Sequence, residues 1–298
     1  MSRTHDHLVG VIPVAGFESD FGFPWHDCLQ PVARNYLAIE RSVVECAYAG
    51  ADTIWIVCDD NMQPLIRHRI GEYVQDPVWL YRAFDRSAFE NQKPIPIFYA
   101  PINPKYRDKI DCYGWSVMQG ALTAWWVAHR ISKWAVPKKY YVSYPYGVYE
   151  PELLRPHRRD IAGKDLFYLS HKGKTFKDGE YLGFSFREED YKTILKTMRT
   201  GTGTFDPSTY VYDENYDRLP LEERNSARNF SLDKVYESVI LEGAKEVQLP
   251  WYYRIDSWEN LTNFLGSPES NLLARPPKKM LYYRELNPIG IDDEQEEE

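Results

Sequence analysis

Residues 8–60 read LVGVIPVAGFESDFGFPWHDCLQPVARNYLAIERSVVECAYAGADTIWIVCDD. An apolar run, Val9–Pro13, opens into a long loop rich in Gly, Pro and acids, Ala15–Pro31. Asn35–Ala49 then places Leu37, Ile39, Val43, Val44, Cys46, Ala47 and Tyr48 at a spacing that predicts a helix. Glu40, Arg41 and Glu45 mark its expected wet face. Asn35 suits the N-cap, and Gly50 stands where a C′ glycine belongs. A second apolar run, Thr53–Cys58, follows and ends in Asp59-Asp60, which reads as a strand-end turn. The order strand, loop, helix, strand predicts a βαβ unit with parallel, buried strands and a right-handed crossover. Ligands in such sheets lie outside the carboxyl ends of the strands. Ala15–Pro31 is therefore the first segment in which to seek a site.

Further along, Ile95–Tyr99, Lys139–Tyr144, Asp165–Ser170, Glu180–Phe186 and Val247–Ile255 read as strands. Pro96 within the first of these predicts a place near the sheet edge. Helices are expected over Pro64–Val74, Trp115–Trp134, Arg187–Thr200, Ser231–Glu242 (Ser231 as N-cap) and Asp256–Leu265, and Trp79–Glu90 is ambiguous. Acids lead the Arg187–Thr200 segment and bases follow, as the helix dipole favours. The fold class is thus α/β, a mostly parallel central sheet flanked by helices. We expect one domain over residues 1–265, with an excursion at 201–228 that lacks periodicity. Residues 266–298 form a C-terminal extension of Pro-rich turns, room for one strand at 279–286, and an acidic tail, DDEQEEE, disordered by composition.

A chain of 298 residues with 43% hydrophobic content can bury a sizeable core. Its net charge of −8 disfavours nucleic acid and anionic membranes as partners. The basic stretch Arg155–Lys177 departs from that balance and reads as a solvated loop. No run of eighteen apolar residues predicts a membrane span, and MSRTHDHL lacks the apolar core of a secretory signal. His5 and His7, in that lead-in, read as solvent-exposed. Four cysteines without a CxxC pair suit a reducing, cytoplasmic compartment. With 23 Tyr and 9 Trp the chain has either a Tyr-rich core or an aromatic surface for a ligand or protein partner.

The motifs together resemble those of the sugar-phosphate nucleotidyltransferases. Ile12-Pro13-Val14-Ala15-Gly16 is similar to the family's IPAAG opening, and Cys28–Ala33, CLQPVA, to its K-P-L-L-P-V stretch. Ala49-Gly50-Ala51-Asp52 followed by TIWIV resembles its AGa-x-i-i-i-V pattern. Met118-Gln119-Gly120-Ala121 sits where the family has a Gly/Ala-rich helix facing the base and sugar. Trp251–Glu259, WYYRIDSWE, looks like its W-x-D-x-G strand end. The likeness runs through residues 8–265 in element order and is specific at 8–58 and 251–259.

The resemblance implies a GT-A-like fold and an attack by a sugar 1-phosphate on the α-phosphorus of a nucleoside triphosphate. That chemistry is positioning and charge neutralisation. It implies phosphate and base contacts at Pro13, Ala15, Gly16, Gln119 and Gly120, and a divalent metal, Mg²⁺, on Asp256. It departs from the family in its charges. Glu18 stands in place of the second loop glycine, and no Lys or Arg lies between Gly16 and Pro31, whereas Glu18, Asp20 and Asp27 do. At about 4 Å and an effective dielectric near 20, each like-charge contact with a phosphate costs roughly 4 kcal/mol. Arg34 is the nearest base able to compensate, and His26 stands near the family's lysine, cationic if a carboxylate raises its pKa. The acid after the fourth strand gives way to Pro145-Tyr146, leaving one matching metal carboxylate, Asp256.

Plain structural readings stand beside these. Asp256 is also what a helix N-cap needs, and residues 118–121 are also what a helix core needs. Three functions follow: a divergent nucleotidyltransferase, a catalytically inactive relative acting as a binding or assembly module, and a nucleotide-sugar-dependent glycosyltransferase. Fold does not choose among them.

Overall fold

The computed structural model describes residues 7–16, 21–23, 25–80, 93–102, 113–131, 136–201, 213–215, 217, 231–277 and 280–281. In chain order these form β1 (Leu8–Pro13), β2 (Pro31–Ala33), β3 (Tyr36–Leu37), α1 (Ala38–Ala49), β4 (Thr53–Cys58), α2 (Gln63–Ile70), β5 (Tyr73–Gln75) and α3 (Pro77–Leu80). Then come β6 (Pro94–Pro101), α4 (Tyr113–Ile131), β7 (Lys139–Val142), β8 (Gly147–Val148), α5 (Arg158–Ile161), β9 (Phe167–Ser170), β10 (Phe184–Arg187) and α6 (Glu188–Gly201). The last are α7 (Leu232–Tyr236), β11 (Lys245–Gln248), β12 (Tyr253–Arg254) and α8 (Trp258–Leu265).

Eight strands form one mixed sheet in the order β11-β9-β10-β7-β1-β4-β6-β5. β1 pairs in parallel with both β4 and β7, and β4 in parallel with β6. β9 and β11 are also parallel, while β10 and β5 run against their neighbours. The α/β class and the βαβ opening are as expected. All six residues of β1 are buried, because a strand at the middle of a sheet covered on both faces has no wet side.

Alternation along β1 places the two covering helices. A Cβ on Gly10 would lie 2.9 Å from Cys46 Sγ of α1, so glycine lets α1 close on one face. The next residue, Val11, meets Gly120 of α4 on the other face, where an added Cβ would come within 2.7 Å of Val11 and 2.8 Å of Val57. Glycine on the helix and valines on the sheet are complementary shapes.

α1 ends as its sequence predicts: Gly50 has φ 89° and donates to the Ala47 and Cys46 carbonyls. The Arg158 guanidinium seals the same end. It donates to the carbonyls of Ala47 and Tyr48 and grips Asp76 with two bonds, 2.7 and 3.1 Å. The cation is favourable both to the negative helix C-terminus and to the carboxylate, and stands between them.

Several expectations are corrected. The start of α1 is Ala38, with Leu37 at its N-cap; Asn35 lies outside it at φ 54°, in the turn between β2 and β3. The wet face does not exist: Glu40, Arg41 and Glu45 are all fully buried, and polar residues at helical spacing here mark an internal charge network. The helix expected over Pro64–Val74 stops at Ile70, where Gly71 (φ 85°) lets the chain turn into edge strand β5. β6, with its Pro94 and Pro96, lies one place in from the edge, near it as expected. Val247–Ile255 is two short strands, divided around Pro250, in different sheets. Helix α7 is shorter than Ser231–Glu242, and Ser231 makes no side-chain cap bond. Most of the 201–228 excursion and the acidic tail lie outside the described residues. Of the expected 279–286 strand, Leu281 forms a bridge with Val74.

Candidate functional site: a tyrosine-lined mouth at the strand ends

β1, β4 and β7 end side by side, and the chain after β1 is pinned at once. The backbone N–H groups of Val14 and Ala15 both donate to the Val57 carbonyl, each at 2.8 Å. Ser116 of α4 donates to the Ala15 carbonyl. Pro13 has no N–H. Of the expected phosphate contacts, Pro13 and Ala15 therefore have no backbone donor to spare. At Gly16 glycine is required by packing: a Cβ would lie 2.5 and 2.6 Å from the Tyr113 ring.

Tyr113 belongs to a cluster of tyrosines. Its ring lies 5.4 Å from that of Tyr146, to which its hydroxyl is hydrogen-bonded, and 5.9 Å from Tyr181. Tyr181 also meets Tyr144 and Tyr146 at 5.6 and 5.7 Å. Burial pushes the Tyr113 and Tyr146 hydroxyls well above the usual phenol range. Burial also pushes Tyr181 up to about 12, against the opposing pull of Arg254. These hydroxyls stay protonated at neutral pH and can donate hydrogen bonds.

The tyrosine rings are buried, and Arg254 of β12 is the exposed member of the group, at its mouth. Its guanidinium carbon stands 4.7 Å above the Tyr181 ring, and the group pairs with Asp256. Its side chain remains 41% exposed, so a cation stacked on one side is open on another. Asp256 also accepts from the Asn260 amide at 3.1 Å. The cap of α8 is the next residue, Ser257, which accepts from the Asn260 N–H, so Asp256 is not needed as the cap. An edge-on contact of 5.8 Å between Phe23 and Trp258 holds α8 beside the loop after β1.

The segment between β7 and β8 is held from behind. Glu45 accepts from Tyr141 (2.7 Å), Ser143 (2.6 Å) and Tyr149, and pairs with Arg41 at 2.8 Å. Arg41 in turn donates to the Tyr144 carbonyl at 2.8 Å. A fully buried ion pair thus fixes the backbone that carries Tyr144 and Tyr146.

The other expected site residues are placed as follows. His26 caps the 3₁₀ turn Asp27–Leu29, its Nδ1 accepting from the Cys28 N–H at 3.2 Å, which needs that nitrogen unprotonated. Arg34 is exposed in the turn between β2 and β3. Gln119 bonds Thr123 along α4 at 3.3 Å, and Gly120 spends its face on the sheet. The structure brings together Gly16, Tyr113, Tyr146, Tyr181, Arg254 and Asp256. Arg254 was legible in WYYRIDSWE as the cation two residues before Asp256 on an alternating strand; the tyrosines carried no signal apart from their number.

The described residues do not by themselves assemble a Mg²⁺ site. Among the described residues, no three His, Cys, Asp or Glu side chains are grouped to hold a metal. Asp256 is already paired with Arg254, and the Pro145-Tyr146 segment after β7 offers no carboxylate. No described helix is long and apolar enough to cross a membrane.

No protein-family model matches the sequence, and no curated protein matches it either. Solved structures do share the fold. A Bacillus anthracis protein assigned as a glucose-1-phosphate thymidylyltransferase, solved with sucrose, superposes with a TM-score of 0.55 at 10% identity, covering 91% of this chain and 98% of that one. It carries the fold assignment to the nucleotidyltransferase-like α/β class. A Vibrio cholerae nucleoside-diphosphate-sugar pyrophosphorylase (TM-score 0.48, 14% identity, 87% and 100% covered) is similar at a level that carries no argument. So is a Mycobacterium tuberculosis protein solved with manganese (0.44, 10%, 88% and 99%).

Proposed function

We propose that this chain, built on the fold of the Bacillus anthracis protein, binds a nucleotide or nucleotide sugar in the tyrosine-lined mouth. We further propose that it transfers a nucleotidyl group from a nucleoside triphosphate to a sugar 1-phosphate. In that reaction a phosphate oxygen of the sugar 1-phosphate bonds to the α-phosphorus. The bond from that phosphorus to the bridging oxygen breaks, and pyrophosphate leaves with the electron pair. The observation that carries the reading is Arg254, half open, paired with Asp256 and stacked on Tyr181, whose ring lies 5.9 Å from that of Tyr113. It supplies the positive charge that the loop Ala15–Pro31 lacks. Tyr113 and Tyr146 would narrow the mouth, keep out water and offer hydroxyl donors. Arg34, His26, Gln119 and Asp256 remain candidates for contact with the phosphates or base, and a divalent cation would need oxygen ligands beyond those described.

A second reading, binding without turnover, is favoured by one observation: the described residues offer no metal-holding carboxylate group. It would leave the exposed aromatic side chains free to meet a protein partner. Pyrophosphate release from each nucleoside triphosphate with a panel of sugar 1-phosphates separates the two. Release that needs both substrates and falls at least about tenfold in Arg254→Met supports the enzyme. Saturable nucleotide-sugar binding without release supports the binding module, and neither result sinks both.

A further inference from the structure

Phe21, Phe23 and Trp25 alternate in the sequence, and their rings lie against one another in that order. Phe21 and Phe23 stack with centroids 5.8 Å apart and planes 16° from parallel. Phe23 and Trp25 stack at 5.1 Å and 5°. Trp258, from the first turn of α8, meets Phe23 edge-on at 70°. Two separate elements thus converge on one aromatic ledge, and its outer members stay wet: Trp25 is 45% exposed and Trp258 56%. A cluster of large exposed rings from two separate elements marks a place where something docks.

The charges say what docks. No Lys or Arg occurs from Phe21 to Ala33 or from Ile255 to Leu265. On α8, Glu259 and the Asn263 amide are exposed and Asn260 is half-buried, whereas Asp27 and Gln30 are buried. The nearest cation, Arg254, stacks on Tyr181 in the mouth and pairs with Asp256, so these segments offer a phosphate no cation of their own. A neutral ring with C–H groups on its face and hydroxyls on its rim suits both halves. The C–H groups meet the negative face of an aromatic ring, and the hydroxyls donate to carboxylates and amides.

We propose that Phe23, Trp25 and Trp258 form a platform for a neutral saccharide of more than one ring, a ligand bound outside the mouth and independently of any nucleotide. It borders the site proposed above and does not depend on that site's chemistry.

The test titrates the full chain, without nucleotide, with maltohexaose, cellohexaose and chitohexaose, following tryptophan fluorescence and saturation-transfer NMR. At least one of the three is expected to bind at millimolar concentration or below. Trp25→Ala and Trp258→Ala should each weaken it by about tenfold, since both rings are half exposed and their loss leaves the core intact. Nucleotide binding in the mouth is measured in the same variants and is expected to persist. Three outcomes overturn the platform: none of the hexasaccharides binds, both variants bind as the parent does, or the variants lose affinity for free nucleoside monophosphates instead. In the last case the ledge stacks a base. Loss of nucleotide binding by the parent would bear on the mouth alone.

Discussion

Arg41 and Glu45 form an ion pair of 2.8 Å with both side chains wholly removed from water. Glu45 meets two tyrosine hydroxyls and a serine, and Arg41 meets the carbonyl of Tyr144 and lies 4.8 Å from the Tyr149 ring. The pair ties α1 to the chain segment that floors the mouth.

Breaking one partner should therefore cost much more than losing both. Glu45→Ala leaves a buried, unpaired guanidinium and is expected to destabilise the fold by about 3–5 kcal/mol. Arg41→Met with Glu45→Leu removes both charges and should recover a large part of that loss. Urea unfolding of the single and double variants measures it; additive losses would show that the two residues act separately.

Gly120 is expected to refuse a methyl group. Alanine there presses on Val11 and Val57 at 2.7–2.8 Å, and the helix must lift from the sheet. A loss of about 1–3 kcal/mol is expected. Leu122→Ala, on the exposed side of the same helix, should change stability by about 0.5 kcal/mol or less. Thermal unfolding of the two variants decides it, and equal effects would contradict the packing described.

The buried tyrosines set the alkaline limit. Tyr113, Tyr141, Tyr146 and Tyr149 have hydroxyls raised well above 10 by burial first, and Tyr181 is raised to about 12. A group whose folded pKa is raised contributes stability that is complete below its unfolded value of about 10 and lost as pH climbs through the folded value. Lys139 acts the other way. Burial lowers it to about 8, so its contribution grows between about 8 and 10.5. The net expectation is a fold that holds to about pH 10 and then unfolds cooperatively, with a burst of tyrosinate absorbance at the unfolding step. Gradual ionisation of these tyrosines at pH 10 in a folded chain would contradict their burial.

The βαβ opening was legible because two apolar runs bracket a helix-spaced segment with a glycine stop at Gly50. The charged face of α1 was not. Glu40, Arg41 and Glu45 have the spacing of a solvated stripe, and only their partners on distant segments reveal them as core: Arg69 for Glu40, the Tyr144 carbonyl for Arg41, Tyr141 and Ser143 for Glu45. The site divided in the same way. Gly16 and Asp256 could be read from short local patterns. Their neighbours Tyr113, Tyr146 and Tyr181 come from three remote segments, and no spacing along the chain records that they meet. Arg254 lay in plain view beside Asp256, but local sequence does not show that it stacks on a ring 73 positions away in the chain.

The most direct measurement is the shift in melting temperature of the chain with a panel of nucleoside triphosphates and nucleotide sugars, compared with Arg254→Met. A ligand at about 100 times its dissociation constant adds about 2.7 kcal/mol to the folded state, a shift of several degrees. The account predicts such a shift for at least one nucleotide ligand and its loss in Arg254→Met, whose stem still covers Tyr181. A shift that survives the substitution would place the site elsewhere. The absence of any shift at millimolar ligand would contradict a nucleotide site in the mouth.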